Sequence, residues 1–256
     1  MVLKPEYRKP KRIISWGDYA GLRKFESIYD LPQEAAEILL KLLHVQGDTE
    51  FASIEQHLPW LIHAPTFSDR VSIARIMVDE MRHGWQVIQI LKEFGEEGKR
   101  IAEELLRTRM GKHRLDAFNL PFNLWEDTLA FTFLIDRVGM YQLVAFEDCS
   151  FAPLARAIPT MMMEEEFHIN FGYTGIKKLV ESGKKDLAQK LINKWFPRAL
   201  DMFGHAKSRT IELAYRYGLK KWTNEEMRRI YIKEIEELIT PLGLELPDPN
   251  KNRRIF

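Results

Sequence analysis

Two Glu-x-x-His motifs, Glu80-Met81-Arg82-His83 and Glu165-Glu166-Phe167-His168, hold the residues best suited to chemistry in this chain. Residues three apart share a helix face, so each pair can present a carboxylate and an imidazole to one metal ion. One such motif is weak evidence, because Glu and His are ordinary surface residues. Here each is preceded by a further acid at a matching distance. Glu50 lies 30 residues before Glu80, and Asp136 lies 29 residues before Glu165. The chain therefore reads carboxylate, Glu-x-x-His, carboxylate, Glu-x-x-His. That is the ligand order of a four-helix di-metal carboxylate bundle, with the shorter Asp136 as its one departure from the all-Glu pattern. The predicted metal ligands, which are also the predicted catalytic residues, are Glu50, Glu80, His83, Asp136, Glu165 and His168.

Hard carboxylates with only two imidazoles suit iron or manganese better than zinc or copper(I). Six ligands shared by two metals leave coordination positions open, as dioxygen requires. This favours two iron ions, with manganese as the other metal that fits.

Four helices must carry these residues. The first opens near Asp30-Leu31-Pro32, an acidic cap followed by a proline suited to a first turn. Along it Ala36, Leu39, Leu40, Leu43, Gly47, Glu50 and Ile54 follow the three-and-four spacing of one face. An ionised carboxylate in such a stripe is costly unless something positive meets it. The second begins at the capping-box pattern Thr66-x-x-Asp69, carries Ile73, Ile76, Glu80, His83, Val87 and Ile90 on one face, and ends near Gly95. The third, capped at Asn123-Leu124-Trp125-Glu126, presents Leu129, Phe133, Asp136, Met140 and Leu143. The fourth presents Met161, Glu165, His168, Gly172 and Leu179 and closes at Gly183. Glu50 to Asp136 spans 86 residues and Glu80 to Glu165 spans 85, so the helix pairs imply a pseudo-twofold bundle.

Outside these helices, residues 1–12 form a basic, proline-containing surface arm, and residues 13–29 could hold a short helix weakened by Gly17 and Gly21. The segment from about 96 to 110 is too charged for a core helix. A fifth helix is expected over about 185–217, bent at Pro197. Thr223-Asn224-Glu225-Glu226 caps another that ends before Pro241, and the tail after Leu246-Pro247-Asp248-Pro249 is basic. The fold class is all-α: one domain over 1–256, with a bundle core at about 31–183 and a C-terminal helical extension at about 184–256.

Lys and Arg number 38 against 37 Asp and Glu, so nothing global favours nucleic acid or an anionic membrane. The single cysteine, Cys149, excludes a disulfide framework and suits a reducing cytoplasm, with an ordinary buried thiol expected. The sequence shows no secretion signal, and no stretch reads as apolar over the ~20 residues of a membrane helix.

Asp79 and Glu164 each precede a ligand Glu, so either can accept the free ring N–H of a ligand imidazole and fix its tautomer. Arg82 could pair with one of them or form a surface ion pair. Phe167 stands in the equivalent place of the second motif, so such a network is asymmetric. His44, His57, His63, His113 and His205 lack a motif and read as surface or satisfied core residues. Met161, Met162 and Met163 read as helix core. Leu43, Phe133 and Met140 are candidates for the wall of a cavity beside the metals.

The chain resembles the catalytic A subunits of the ring-1,2-phenylacetyl-CoA epoxidase (phenylacetic acid catabolic) family and, more distantly, benzoyl-CoA epoxidases, from about residue 40 to 250. The resemblance is carried by His44 spaced six before Glu50, Asp79-Glu80-x-x-His83-Gly84, Leu134-Ile135-Asp136 and Glu164-Glu165-x-Phe167-His168. It extends to Met202-Phe203-Gly204, Thr223-Asn224-Glu225-Glu226, Leu242-Gly243 and Pro247-Asp248-Pro249. Unlike those subunits, the chain closes soon after this last motif. The resemblance implies a ferritin-like four-helix bundle whose two irons activate dioxygen and epoxidise the ring of an aromatic acyl-CoA. It also implies an oligomeric assembly with a reductase, a ligand-poor sister subunit and one further small subunit. The alternative is a ferritin- or rubrerythrin-like ferroxidase or peroxide-detoxifying protein. Against a rubrerythrin stands the absence of a Cys-x-x-Cys module.

Overall fold

The computed structural model describes residues 9–255. Among them are nine α-helices and no strands, only two isolated bridges, Ile13 with Arg23 and Phe25 with Phe151. The helices are α1 (Gln33–His57), α2 (Trp60–His63), α3 (Phe67–Lys92), α4 (Gly95–Arg107), α5 (Trp125–Phe146), α6 (Ala152–Glu181), α7 (Lys185–Met202), α8 (Arg209–Arg216) and α9 (Asn224–Ile239). The fold is all-α and ferritin-like: α1 pairs with α3, α5 pairs with α6, and α3 meets α6 across the bundle.

Local chemistry fixes the helix starts. Thr66 and Asp69 form a reciprocal capping box at α3, and Thr223 and Glu226 form another at α9. At α5 the cap differs from expectation. The Asp127 carboxylate reaches back to accept from the N–H groups of Asn123 and Leu124. Near α1, Asp30 completes a capping box with Ser27 around a 3₁₀ turn, and Pro32 is the N-cap residue of the helix.

Helix α5 contributes to both large hydrophobic clusters. Phe131, Phe133, Leu134 and Val138 pack with Trp195 and Phe196 of α7 and Tyr231 of α9. Its later residues Met140, Leu143 and Val144 pack with Leu39 and Leu43 of α1 and Met161 and Met162 of α6. Surrounded in this way, α5 is apolar on nearly every side and is long and apolar enough to cross a membrane, contrary to the reading of the sequence. Nearly all of it is buried within the protein. The contact of α5 with α6 requires glycine. A Cβ on Gly172 would lie 2.3 Å from the Phe133 backbone nitrogen and 2.6 Å from the Leu129 carbonyl oxygen, so any side chain there would force the helices apart.

Several expectations are corrected. Residues 13–27 form no helix, because Gly17 and Gly21 adopt positive φ and the segment is held by the bridges at Ile13 and Phe25. Residues 1–8 of the basic arm lie outside the described residues. Lys11, within it, donates its backbone N–H to Asp148. The charged segment after residue 95 is no core helix, as expected: it is the amphipathic α4, of which only the edge with Ile101 and Leu105 is buried. The helix expected over 185–217 is two. Pro197 sits inside α7, while the chain breaks at Gly204, whose φ is 78°.

Candidate metal centre

Each of the four bundle helices delivers its acids to one place. Glu50 comes from α1, Glu80 and His83 from α3, Asp136 from α5, and Glu165 and His168 from α6, and all six are buried. Their oxygen and nitrogen atoms form two groups, Glu50–Glu80–His83–Glu165 and Glu80–Asp136–His168, within which the potential ligand atoms lie within 4.8 Å of one another. His83 Nδ1 lies 3.5 Å from Glu50, 3.8 Å from Glu80 Oε2 and 3.7 Å from Glu165 Oε1. His168 Nδ1 lies 3.8 Å from Glu80 Oε1, 4.0 Å from Asp136 and 3.4 Å from Glu165 Oε2. Glu80 and Glu165 thus turn one oxygen toward each histidine. Glu50 stands beside His83, and Asp136 beside His168.

The far ring nitrogens are anchored crosswise. His83 Nε2 is 2.8 Å from Glu164 on α6, and His168 Nε2 is 3.4 Å from Asp79 on α3. Burial alone would raise both carboxylates, but the imidazole hydrogen bonds and Arg82 hold them below the usual range. Arg82 donates to Asp79 at 3.0 Å and pairs with Glu164, tying the two anchors together. In the second motif Phe167 instead packs beneath the Arg75 guanidinium, 3.7 Å from the ring centroid.

Without a cation the cluster is poorly balanced. Burial, then the neighbouring carboxylates, pushes Glu80 and Asp136 well above the ordinary range. Burial also opposes the imidazolium form, yet the surrounding carboxylates drive His83 up to about 10 and His168 up to about 9. Asp136 Oδ2, Glu165 Oε2 and His168 Nδ1 are buried without a hydrogen-bond partner. Such atoms are rare in folded proteins, and here all three face one spot. Inward lone pairs, crosswise anchors and orphaned donor atoms fit a pair of hard divalent ions.

Three further residues of α1 belong to the site. Gln46 donates to Glu50, and the Ser53 hydroxyl donates to Glu80 at 2.9 Å. His57 donates Nδ1–H to the Ser53 carbonyl at 2.9 Å, and burial drives it down to about 4. The signal was present in the sequence: 46, 50, 53 and 57 step by four, three and four along one face.

A recess above the carboxylates is lined by Gln46, Thr49, Ile135, Gly139, Leu143 and Met202, among others. Gln46, Thr49, Gly139 and Met202 also line a neighbouring cavity of about 300 Å³, bounded by Phe146, Phe203, Ile211 and Lys220. Leu43, Phe133 and Met140 do not line it. They are buried in the two hydrophobic clusters, because the cavity opens toward the segment between α7 and α8. Of the remaining histidines, His113 bridges Asp48 and Glu55, and His44 contacts Arg114. Cys149 is buried, and its thiol is pushed up to about 12 by that burial. Met161 and Met162 are core, whereas Met163 is exposed.

Lys220 gives a pH-dependent prediction. Its amine is buried against Gln142 and the Phe146 ring, and burial brings it down to about 7. Below pH 7 the folded state must hold the charge. Between that value and the ~10.5 of an exposed lysine only the unfolded state is protonated, so stability rises with pH across this window. Lys220→Met should therefore stabilise the protein by about 3 kcal/mol at pH 6, allowing for the lost Gln142 contact. The gain should shrink steadily toward pH 10, as read by urea denaturation. A gain independent of pH would contradict this account.

A sequence model of the family described as "Phenylacetic acid catabolic protein" matches residues 22–254. The chain is 30% identical over 239 residues to benzoyl-CoA oxygenase component B of Aromatoleum evansii, covering 83% of this chain and 50% of that protein. It is 25% identical over 224 residues to the A subunit of 1,2-phenylacetyl-CoA epoxidase of Escherichia coli (strain K12), covering 86% of this chain and 72% of that protein. The chain thus spans about half the length of the first relative and more of the second.

Proposed function

The chain belongs to the phenylacetic acid catabolic protein family, and from that premise we propose that it is a di-iron oxygenase subunit that works on an aromatic acyl-CoA. The observation that carries the reading is the convergence of four carboxylates and two histidines, with orphaned donor atoms, beside a cavity of about 300 Å³. On this reading residues 1–256 are a single ferritin-like domain. Glu50 and His83 would help hold one iron and Asp136 and His168 the other, with Glu80 and Glu165 turned toward both histidines. Manganese is the other metal this donor set accepts. The metal pair, when bound, supplies the redox chemistry that activates dioxygen.

The remaining work falls to the chain. Asp79 and Glu164 keep the ring proton of each histidine on Nε2 and leave Nδ1 free to donate its lone pair. Ser53 and Gln46 hold Glu80 and Glu50 in their rotamers. The cavity lies at the small end of the range for ligand pockets, large enough for an aromatic acyl group but not for the whole of coenzyme A. Phe146, Phe203 and Ile211 exclude water around the ring, and the coenzyme handle supplies remote binding energy that holds a ring carbon near the metals. The names of the two relatives, one an oxygenase component and the other an epoxidase subunit, agree with a chain that works in an assembly. A reductase, a ligand-poor sister subunit and one further small subunit would complete it.

The test is oxygen-18 incorporation from labelled dioxygen into phenylacetyl-CoA, benzoyl-CoA and the free acids, with a reductase and a candidate sister subunit present. Label should enter a thioester far faster than its free acid. A Cβ on Gly139 would meet nothing within 4 Å, so Gly139→Leu starts a side chain into the recess that Gly139 lines. That variant should keep its metal and lose at least about tenfold in turnover, a barrier rise of about 1.4 kcal/mol. If no thioester is labelled while iron(II) alone is oxidised rapidly, the ferroxidase reading replaces this one.

A further inference from the structure

Helix α3 turns its acids inward and large apolar side chains outward. Phe67, Val71, Val78, Met81 and Trp85 are between 46% and 80% exposed, and half-buried Ala74 completes the row. The steps between these six are four, three, four, three and four. That alternation is the seam of a coiled coil, continued over more than two heptads and about 27 Å of helix. A surface helix packed only against its own bundle would carry polar residues here. The five exposed side chains present on the order of 500 Å² of apolar surface, at the upper end of what a monomer leaves uncovered.

The residues beside the seam decide what fits it. Arg70 and Arg75 are exposed, Arg82 is half-buried, and Lys92 lies over the Trp85 ring. Of the acids on α3 itself only Asp69 is not buried, and it is committed to the Thr66 capping box. Asp79 holds Arg75 and Arg82 from below and half-buried Glu164 of α6 also pairs with Arg82, yet both guanidinium side chains remain about half exposed. A second copy packed antiparallel about the middle of the seam would set Phe67 against Trp85 but also bring Arg75 of each copy against the other. Like charges flanking a seam oppose pairing.

We propose that this face docks an amphipathic helix of a different protein chain, one whose apolar ridge is flanked by Glu or Asp. A helix laid along the seam, with the arginine stems closing over its edges, would approach the ~800 Å² per partner of a stable interface. The inference does not depend on the activity proposed above, since it uses the outer face of α3 and not the cluster behind it.

The experiment uses the full chain and a fluorescent three-heptad peptide with Leu at both seam positions and Glu at the flanking positions. The control is the same peptide with Lys flanks. Fluorescence anisotropy should give at least about tenfold tighter binding of the Glu-flanked peptide, a margin that narrows as salt screens the flanks. Val71→Glu and Trp85→Glu, both exposed and thus compatible with folding, should each weaken that binding about tenfold or more with circular dichroism unchanged. Equal binding of the two peptides, no binding of either, or unchanged binding by both variants would overturn the proposal. So would self-association that Val71→Glu dissolves, which assigns the face to a second copy. Partition onto phosphatidylserine vesicles that Trp85→Glu abolishes, without peptide selectivity, would assign it to a lipid surface instead.

Discussion

Glu80→Ala is expected to emerge from iron(II) loading and dialysis with almost no metal, while Glu50→Ala keeps about half of the parent chain's content. The asymmetry follows from position. Glu80 belongs to both groups of converging donors and turns one oxygen toward each histidine, whereas Glu50 belongs only to the group around His83. Removing Glu80 therefore takes a donor from both ions and also strands the Ser53 hydroxyl. Glu165 divides its oxygens in the same way, so Glu165→Ala should behave like Glu80→Ala. Asp79→Asn and Glu164→Gln leave all six donors in place and loosen only the far side of one imidazole. Their cost should be a loss of about 10–100-fold in affinity, without loss of stoichiometry. Elemental analysis of these variants separates the outcomes. Equal metal retention in Glu80→Ala and the parent chain would dismiss the shared-ligand geometry.

The convergence of these residues was legible because two periodicities coincide in the sequence. Glu50, Glu80, Asp136 and Glu165 each interrupt an apolar stripe, and a helix turns every member of a stripe toward the same neighbour. That Asp79 and Glu164 could anchor the imidazoles was legible for a similar reason, since they precede Glu80 and Glu165 and so lie at the edge of the same face; that each reaches the histidine of the other helix was not. Depth is harder to read than direction. Leu43, Phe133 and Met140 share faces with the cluster, but the cavity is set by the segment between α7 and α8. No spacing within the bundle encodes that segment's course.

The cap of α5 shows another limit. Asn123 has the side chain of a good N-cap, yet Asp127 wins because a buried carboxylate there also accepts from Trp195 Nε1 and pairs with Lys194. Pro197 shows a third. A proline costs a helix one hydrogen bond, but in α7 it is buried against the aromatic cluster, and the chain turns instead at Gly204. Tertiary packing overrode the local signal in both places.

Adding iron(II) or manganese(II) to the metal-free protein should raise its melting temperature by roughly 20 °C. In the metal-free state Glu80, Asp136, Glu165 and Glu50 share one buried cluster. The only compensating charges inside it are the protons that burial and repulsion force onto the carboxylates and imidazoles. Three donor atoms there have no partner at all. A divalent ion relieves both penalties at once, and it binds the folded chain because the unfolded chain does not gather four helices' ligands. With free metal about a thousandfold above its dissociation constant, each ion adds about 4 kcal/mol, so two add about 8 kcal/mol. For a chain of this size each kcal/mol moves the midpoint by about 2–4 °C. The rise should collapse to a few degrees in the His83→Ala, His168→Ala double variant, which keeps every carboxylate but loses both nitrogen donors. That comparison separates coordination from simple charge neutralisation. Neutralisation needs only the four acids and would give the double variant the same rise, and calorimetry showing equal shifts would move the stabilising ions away from this cluster.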